Sequence, residues 1–175
     1  MASKHSGRVT EKALEYLREV VEDGFAQSSG PQMVGKFEQA FAKRFGVLYG
    51  IAHANGTATL HSCLAAAGVK PGDEVITTPM TCTATNWPIL AHKAKIVWAD
   101  IDPDTGNIDH QSIAQRITKK TKAIMAVDWG GYPCDINAIK KVAGDIPIIE
   151  DAAHAFGAEY KGKKVGNAAD FTCFS

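Results

Sequence analysis

Ile146-Pro147-Ile148-Ile149-Glu150-Asp151-Ala152-Ala153-His154 is a short apolar run that ends in two carboxylates, with an imidazole three residues on. Its apolar residues do not alternate with polar ones, which is the texture of a strand in a parallel sheet covered on both faces. Such open sheets hold their ligand beyond the carboxyl ends of the strands, so Asp151 and His154 stand where chemistry is expected. A carboxylate beside so buried a run is costly unless it meets a positive partner, and a protonated ring nitrogen would serve. If the chain turns helical after Asp151, the two side chains share one face and can flank a planar ligand. The residues alone leave other readings open. Asp151 could cap a helix, and His154 could be a packed core histidine or one of two metal ligands.

Outward from this run, short β-rich segments alternate with helical ones, separated by Gly, Pro, Asn or Asp, as βαβ units require. The pattern predicts strands over 49–53, 74–78, 95–99, 123–127 and 146–149, with helices over 57–67, 83–92, 109–116 and 136–143. The fold class is therefore α/β, a mostly parallel sheet with helices on both faces. Ahead of it, Thr10 precedes a helix in which Leu14, Leu17 and Val21 recur on one face and Gly24 is the stop. A second helix sets Phe37, Phe41 and Phe45 four residues apart and ends at Gly46. This divides the chain into N-terminal helices over 1–46 and an α/β unit over 47–175.

The strand ends supply the other candidate site. Asn55-Gly56-Thr57 opens a helix directly after the first predicted strand, aiming free backbone N–H groups and the positive end of the helix dipole at one point. An anion such as phosphate fits there. Equally, Asn55 or Thr57 could simply cap the helix.

Composition removes several function classes. The 175 residues are 45% hydrophobic and 22% charged, enough for a real core, and 19 basic residues balance 19 acidic ones. A zero net charge gives no electrostatic footprint for nucleic acid. The first ten residues are polar without an apolar signal segment, and no stretch reaches the roughly 18 apolar residues of a membrane span, so a cytoplasmic protein with no membrane partner is expected. Cys63, Cys82, Cys134 and Cys173 lie far apart with no Cys-x-x-Cys pair, which predicts reduced thiols and no structural metal.

Near-miss motifs fall away on inspection. Gly30 to Phe37 spells most of a P-loop but puts Phe37 where a magnesium-binding hydroxyl belongs. Asp100, Asp102 and Asp104 begin like a calcium loop, yet the glycine comes one place late at Gly106, so a turn is expected. No Gly-x-Gly-x-x-Gly follows the first predicted strand, which removes the main support for a dinucleotide site.

Taken in order, Gly35-Lys36-Phe37-Glu38, Asn55-Gly56-Thr57-Ala58-Thr59-Leu60, Pro71-Gly72-Asp73-Glu74-Val75-Ile76, Asp100-Ile101-Asp102, Asn107-Ile108-Asp109, Thr121-Lys122-Ala123-Ile124, the stretch from Ile149 to Ala155 and Asp170-Phe171-Thr172-Cys173-Phe174-Ser175 carry a resemblance. The chain resembles the DegT/DnrJ/EryC1/StrS sugar aminotransferases, which are fold type I enzymes dependent on pyridoxal 5'-phosphate (PLP). The resemblance implies that Gly56, Thr57 and Ala58 hold the cofactor phosphate, with Ser175 adding a hydroxyl. It implies that Asp151 pairs with the pyridinium nitrogen and that His154 bonds the phenolic oxygen, where many relatives have Gln. Where relatives commonly stack an aromatic ring on the cofactor this chain has Cys82, whose sulfur can pack against a ring face.

By the same resemblance the chain is the N-terminal part of an enzyme that moves an amino group from an amino acid, glutamate by analogy, to a nucleotide-linked keto-sugar. Residues 47–175 then form part of a PLP-binding large domain, and a homodimer is implied. The family's Schiff-base lysine falls beyond the position of Ser175, so the chain by itself is expected to lack it and to be inactive. Two alternatives stand: a sugar dehydratase of the same family, in which histidine replaces that lysine, and a non-catalytic remnant or assembly module.

Overall fold

The computed structural model describes residues 9–25 and 33–175. The chain divides into two units. One holds α1 (Glu11–Glu22), α2 (Met33–Phe45) as far as Arg44, and the extended stretch Leu48–Ala52; the other holds Phe45–Val47 and His53–Ser175.

In the first unit, Thr10 caps α1 by accepting a hydrogen bond from the Ala13 N–H at 3.2 Å. Its apolar face carries Leu17 and Val21, both exposed. The rejected P-loop begins at Gly30 to Gln32, which lie outside the described residues, while its remainder is the first turns of α2.

The second unit is built on five parallel strands. They are β1 (Glu74–Thr77), β2 (Lys95–Trp98), β3 (Thr121–Val127), β4 (Ile148–Asp151) and, beyond a small hairpin, β7 (Phe171–Cys173). Their spatial order is β2-β1-β3-β4-β7. Helices α3 (Gly56–Ala66), α4 (Thr83–Ala91), α5 (His110–Arg116) and α6 (Ile136–Ala143) cover the two faces.

Because successive strand residues point to opposite faces, the sheet makes two cores. Ile76, Ile124, Ala126 and Ile148 pack with Ile113, Ile136 and Ile139 from α5 and α6. Val75, Ala123, Met125, Ile149 and Cys173 pack with Leu60 and Leu64 of α3 and Ile89 of α4. This double burial explains why β3 and β4 read as unbroken apolar runs.

Three expectations need correcting. Residues 49–53 form no strand, and Leu48, Tyr49 and Ile51 are exposed, since an extended segment becomes a strand only beside a partner and this one pairs with no described strand. The fifth strand runs on through Glu150 and Asp151, so both carboxylates lie within the ladder. No helix follows Asp151. The chain turns instead, with the Ala155 N–H donating to the Ala152 carbonyl at 2.9 Å, so Asp151 is no helix cap and shares no helix face with His154.

Two elements escaped the sequence reading. One is β7; the other is the hairpin β5 (Glu159–Tyr160) and β6 (Lys163–Lys164). Its two-residue loop, Lys161 and Gly162, has φ of 51° and 75°, the conformation that suits the twist of paired strands. Lys161 sits in this uncommon conformation with its ammonium 2.8 Å from Asp135 Oδ2 and over the Tyr160 ring. The calcium-loop near miss is a turn, closed by the Gly106 N–H on the Asp102 carbonyl at 2.8 Å.

Candidate active site

The start of α3 and the end of β7 meet. A Cβ built on Gly56 would lie 2.9 Å from Ser175 Cβ and 3.0 Å from its Oγ, so any side chain at position 56 would fill the gap between them. Asn55 caps the helix: its Oδ1 accepts from the Ala58 N–H at 2.9 Å and its carbonyl from the Thr59 N–H at 3.2 Å. Among the described residues, the backbone N–H groups of Gly56 and Thr57 have no protein acceptor, as the first turn of a helix leaves them. The cap reading of Asn55 is thus met, through the Ala58 and Thr59 N–H groups, while the Gly56 and Thr57 N–H groups lie beside the Ser175 hydroxyl and take no part in it.

Asp151 ends β4 one strand away, paired in register with Val127 of β3 and Cys173 of β7. Helix α3 packs on both β4 and β7. Asp151 is only 7% exposed, and no cation among the described residues pairs with it. Its Oδ2 accepts from Thr85 Oγ1 at 2.7 Å and its Oδ1 from the Ala153 N–H at 3.2 Å. Thr85 hydroxyl in turn lies 2.7 Å from Thr81 Oγ1. The sequence reading missed this pair of threonines. Their signal is their four-residue spacing at the start of a helix that directly follows a strand end.

Of the remaining expected residues, Cys82 is exposed at the N-cap position of α4, three residues before Thr85, and makes no capping bond. His154 is exposed on the turn after β4, with its ring centroid 5.7 Å from that of Trp129. The loop beneath it is tightly fitted: a Cβ on Gly131, whose φ is 87°, would come within 2.9 Å of the His154 carbonyl oxygen. Among the described residues, no group of three or more His, Cys, Asp or Glu could hold a metal ion.

Two further carboxylates lie beside this layer. Asp128, just past β3, is fully buried; its Oδ1 accepts from the Cys134 N–H at 2.8 Å, while its Oδ2 has no hydrogen-bond partner among the described residues. Burial, with the Asp151 charge adding to it, pushes Asp128 up to about 6. Glu150 points to the opposite sheet face from Asp151 and accepts from Thr172 Oγ1 at 2.8 Å. Burial, with Asp128 adding, pushes it up to about 7.

A carboxyl raised in this way binds a proton in the folded protein that the unfolded chain has already released, so its contribution to stability falls as pH rises from its ordinary value of 4.5 toward 7. Glu150→Gln should consequently unfold at a higher temperature than the parent above pH 7, with the advantage shrinking toward zero at pH 4.5. Thermal unfolding across that range measures it. A difference that does not change with pH contradicts the assignment.

The mostly parallel sheet with its covering helices is similar in structure to the fold type I PLP sugar aminotransferases. The chain belongs to the DegT/DnrJ/EryC1/StrS aminotransferase family, whose profile matches residues 8–175. It is 40% identical over 169 residues to the GDP-perosamine synthase of Escherichia coli O157:H7, an alignment that covers 95% of this chain and 46% of that protein. The aminotransferase from Psychrobacter cryohalolentis superposes with a TM-score of 0.88 at 36% identity, over 95% of this chain and 43% of that one. A Streptococcus pneumoniae protein described as a sugar aminotransferase and solved in its PLP form gives 0.87 at 31% identity, over 95% and 46%. The chain thus spans less than half the length of these relatives.

Proposed function

We propose that the protein carrying this chain transfers an amino group from an amino acid, glutamate by family analogy, to the keto carbon of a nucleotide-linked sugar, with PLP as cofactor. The observation that carries the proposal is Asp151, a buried carboxylate with two hydrogen-bond donors and no cation. A ligand with a protonated ring nitrogen supplies the missing positive charge.

The fit extends to the rest of the site. Gly56 and Thr57 offer two free N–H groups, Thr57 and Ser175 offer hydroxyls, and the absence of a side chain at position 56 leaves room for a phosphate to approach. Ala58 adds its place in the first turn, since its N–H already serves Asn55. His154 is assigned to the phenolic oxygen and Cys82 to the ring face. When bound, PLP supplies an electron sink for the charge left as a proton leaves the amino-bearing carbon. Asp151 keeps the ring nitrogen protonated, and Thr85 orients Asp151 by fixing its Oδ2. A homodimer and a cytoplasmic location complete the proposal.

The test is to express the whole reading frame, supply PLP, glutamate and a panel of nucleotide-linked keto-sugars, and identify the products by mass spectrometry. An amino sugar is expected. A deoxygenated sugar in its place supports the dehydratase of the same family and overturns transamination; no sugar product at all favours a binding or assembly role. Gly56→Ala should weaken PLP binding about tenfold while the protein stays folded, because the added methyl meets Ser175 and crowds the anion position. Fluorescence titration of the variant with PLP measures this, and an unchanged affinity removes Gly56 from the site.

A further inference from the structure

We infer that Cys63 and Cys173 form a dithiol site that peroxide converts to a disulfide, covalently joining α3 to β7. The sequence places these residues 110 positions apart and gives no reason to pair them, yet the structure sets their Sγ atoms 3.4 Å apart. They belong to the same core, Cys63 on the inward face of α3 and Cys173 at the last position of β7. The two elements already meet a second time, where Gly56 approaches Ser175. A bond between the sulfurs therefore spans an existing contact. The inference stands on this geometry and does not depend on the cofactor reading.

The two thiols are unequal. Cys63 is partly exposed and Cys173 buried. The hydrogen bond from Cys173 holds the Cys63 thiol below its ordinary range, against the opposing effect of burial, while that bond and burial together push Cys173 up. Cys63 is thus the attacking group. Its thiolate attacks one peroxide oxygen and the O–O bond breaks, giving a Cys63 sulfenic acid and one water as the peroxide takes up two electrons. The Cys173 sulfur then attacks the sulfenic sulfur; the S–S bond forms, and hydroxide leaves with the Cys173 proton as a second water. Two thiols and one peroxide become one disulfide and two waters. The other cysteines differ: Cys134 is buried, with its thiol pointed at the Val127 carbonyl, and Cys82 is exposed, with no sulfur–sulfur hydrogen bond among the described residues.

The experiment uses the protein from the whole reading frame, treated with hydrogen peroxide, alkylated after denaturation, digested, and mapped by mass spectrometry. A peptide pair joining Cys63 to Cys173, lost on treatment with a reductant, is expected. With it the midpoint of thermal unfolding should rise by about 5 °C, because the link closes a long loop. Cys173→Ser should instead leave Cys63 as a sulfenic acid that a dimedone probe captures, and Cys63→Ser should leave Cys173 reduced. The proposal fails if both thiols are alkylated after peroxide, if Cys63 in the unsubstituted protein passes to the sulfonic acid unlinked, or if its partner is Cys82.

Discussion

Asp151→Asn lowers turnover of the whole protein by about 10²- to 10³-fold, the loss typical when a charge that stabilises a developing transition state is removed. The carboxylate accepts from two donors, Thr85 Oγ1 and the Ala153 N–H, one on each oxygen. An amide has one oxygen, so one of these donors faces an NH₂ group, and no negative charge remains to hold a proton on a ring nitrogen. PLP affinity should fall alongside turnover. Steady-state kinetics together with a PLP titration check the result, and a variant that keeps full turnover overturns the assignment of Asp151. Because Asp151 also raises Asp128, the same substitution lets the Asp128 carboxyl titrate nearer its ordinary range.

The largest effect on stability is expected at the middle of the sheet. Ile124 is fully buried in β3, paired with Ile76 on one side and Ile148 on the other. Ile124→Ala removes three carbons from a core closed by α5 and α6, where the backbone ladder leaves little room to collapse, and should cost about 3–4 kcal/mol. Urea unfolding of parent and variant provides the comparison. A loss under about 1 kcal/mol would mean that this layer is loosely packed.

Four of the predicted strands and all four helices of the α/β unit were legible because Gly, Pro, Asn and Asp punctuate them and their apolar residues run unbroken. Residues 49–53 have the same apolar texture and form no strand, since pairing is a property of neighbours and no local pattern encodes it. The reverse holds for β7: three residues give too little periodicity to read, and β4 makes them a strand. In the site, Gly56 could be nominated from a helix start behind an expected strand that does not form and Asp151 from the end of β4, while Ser175, Cys82 and the roles of all of them came from resemblance. The spacing of Thr81 and Thr85 and the place of Asp128 just past β3 can be read locally, but the Thr85–Asp151 and Cys63–Cys173 contacts depend on which elements the fold lays side by side.

The two open amides of α3 and the cation-free carboxylate of β4 belong to adjoining parts of one sheet end. A zwitterion or any molecule with opposite charges at its two tips gains at both, provided it enters one way round; reversed, it loses at both. A neutral disc of the same size gains at neither. If these groups form the proposed site, it would be a polarity filter, choosing the bearing of its guest before any bond is made or broken.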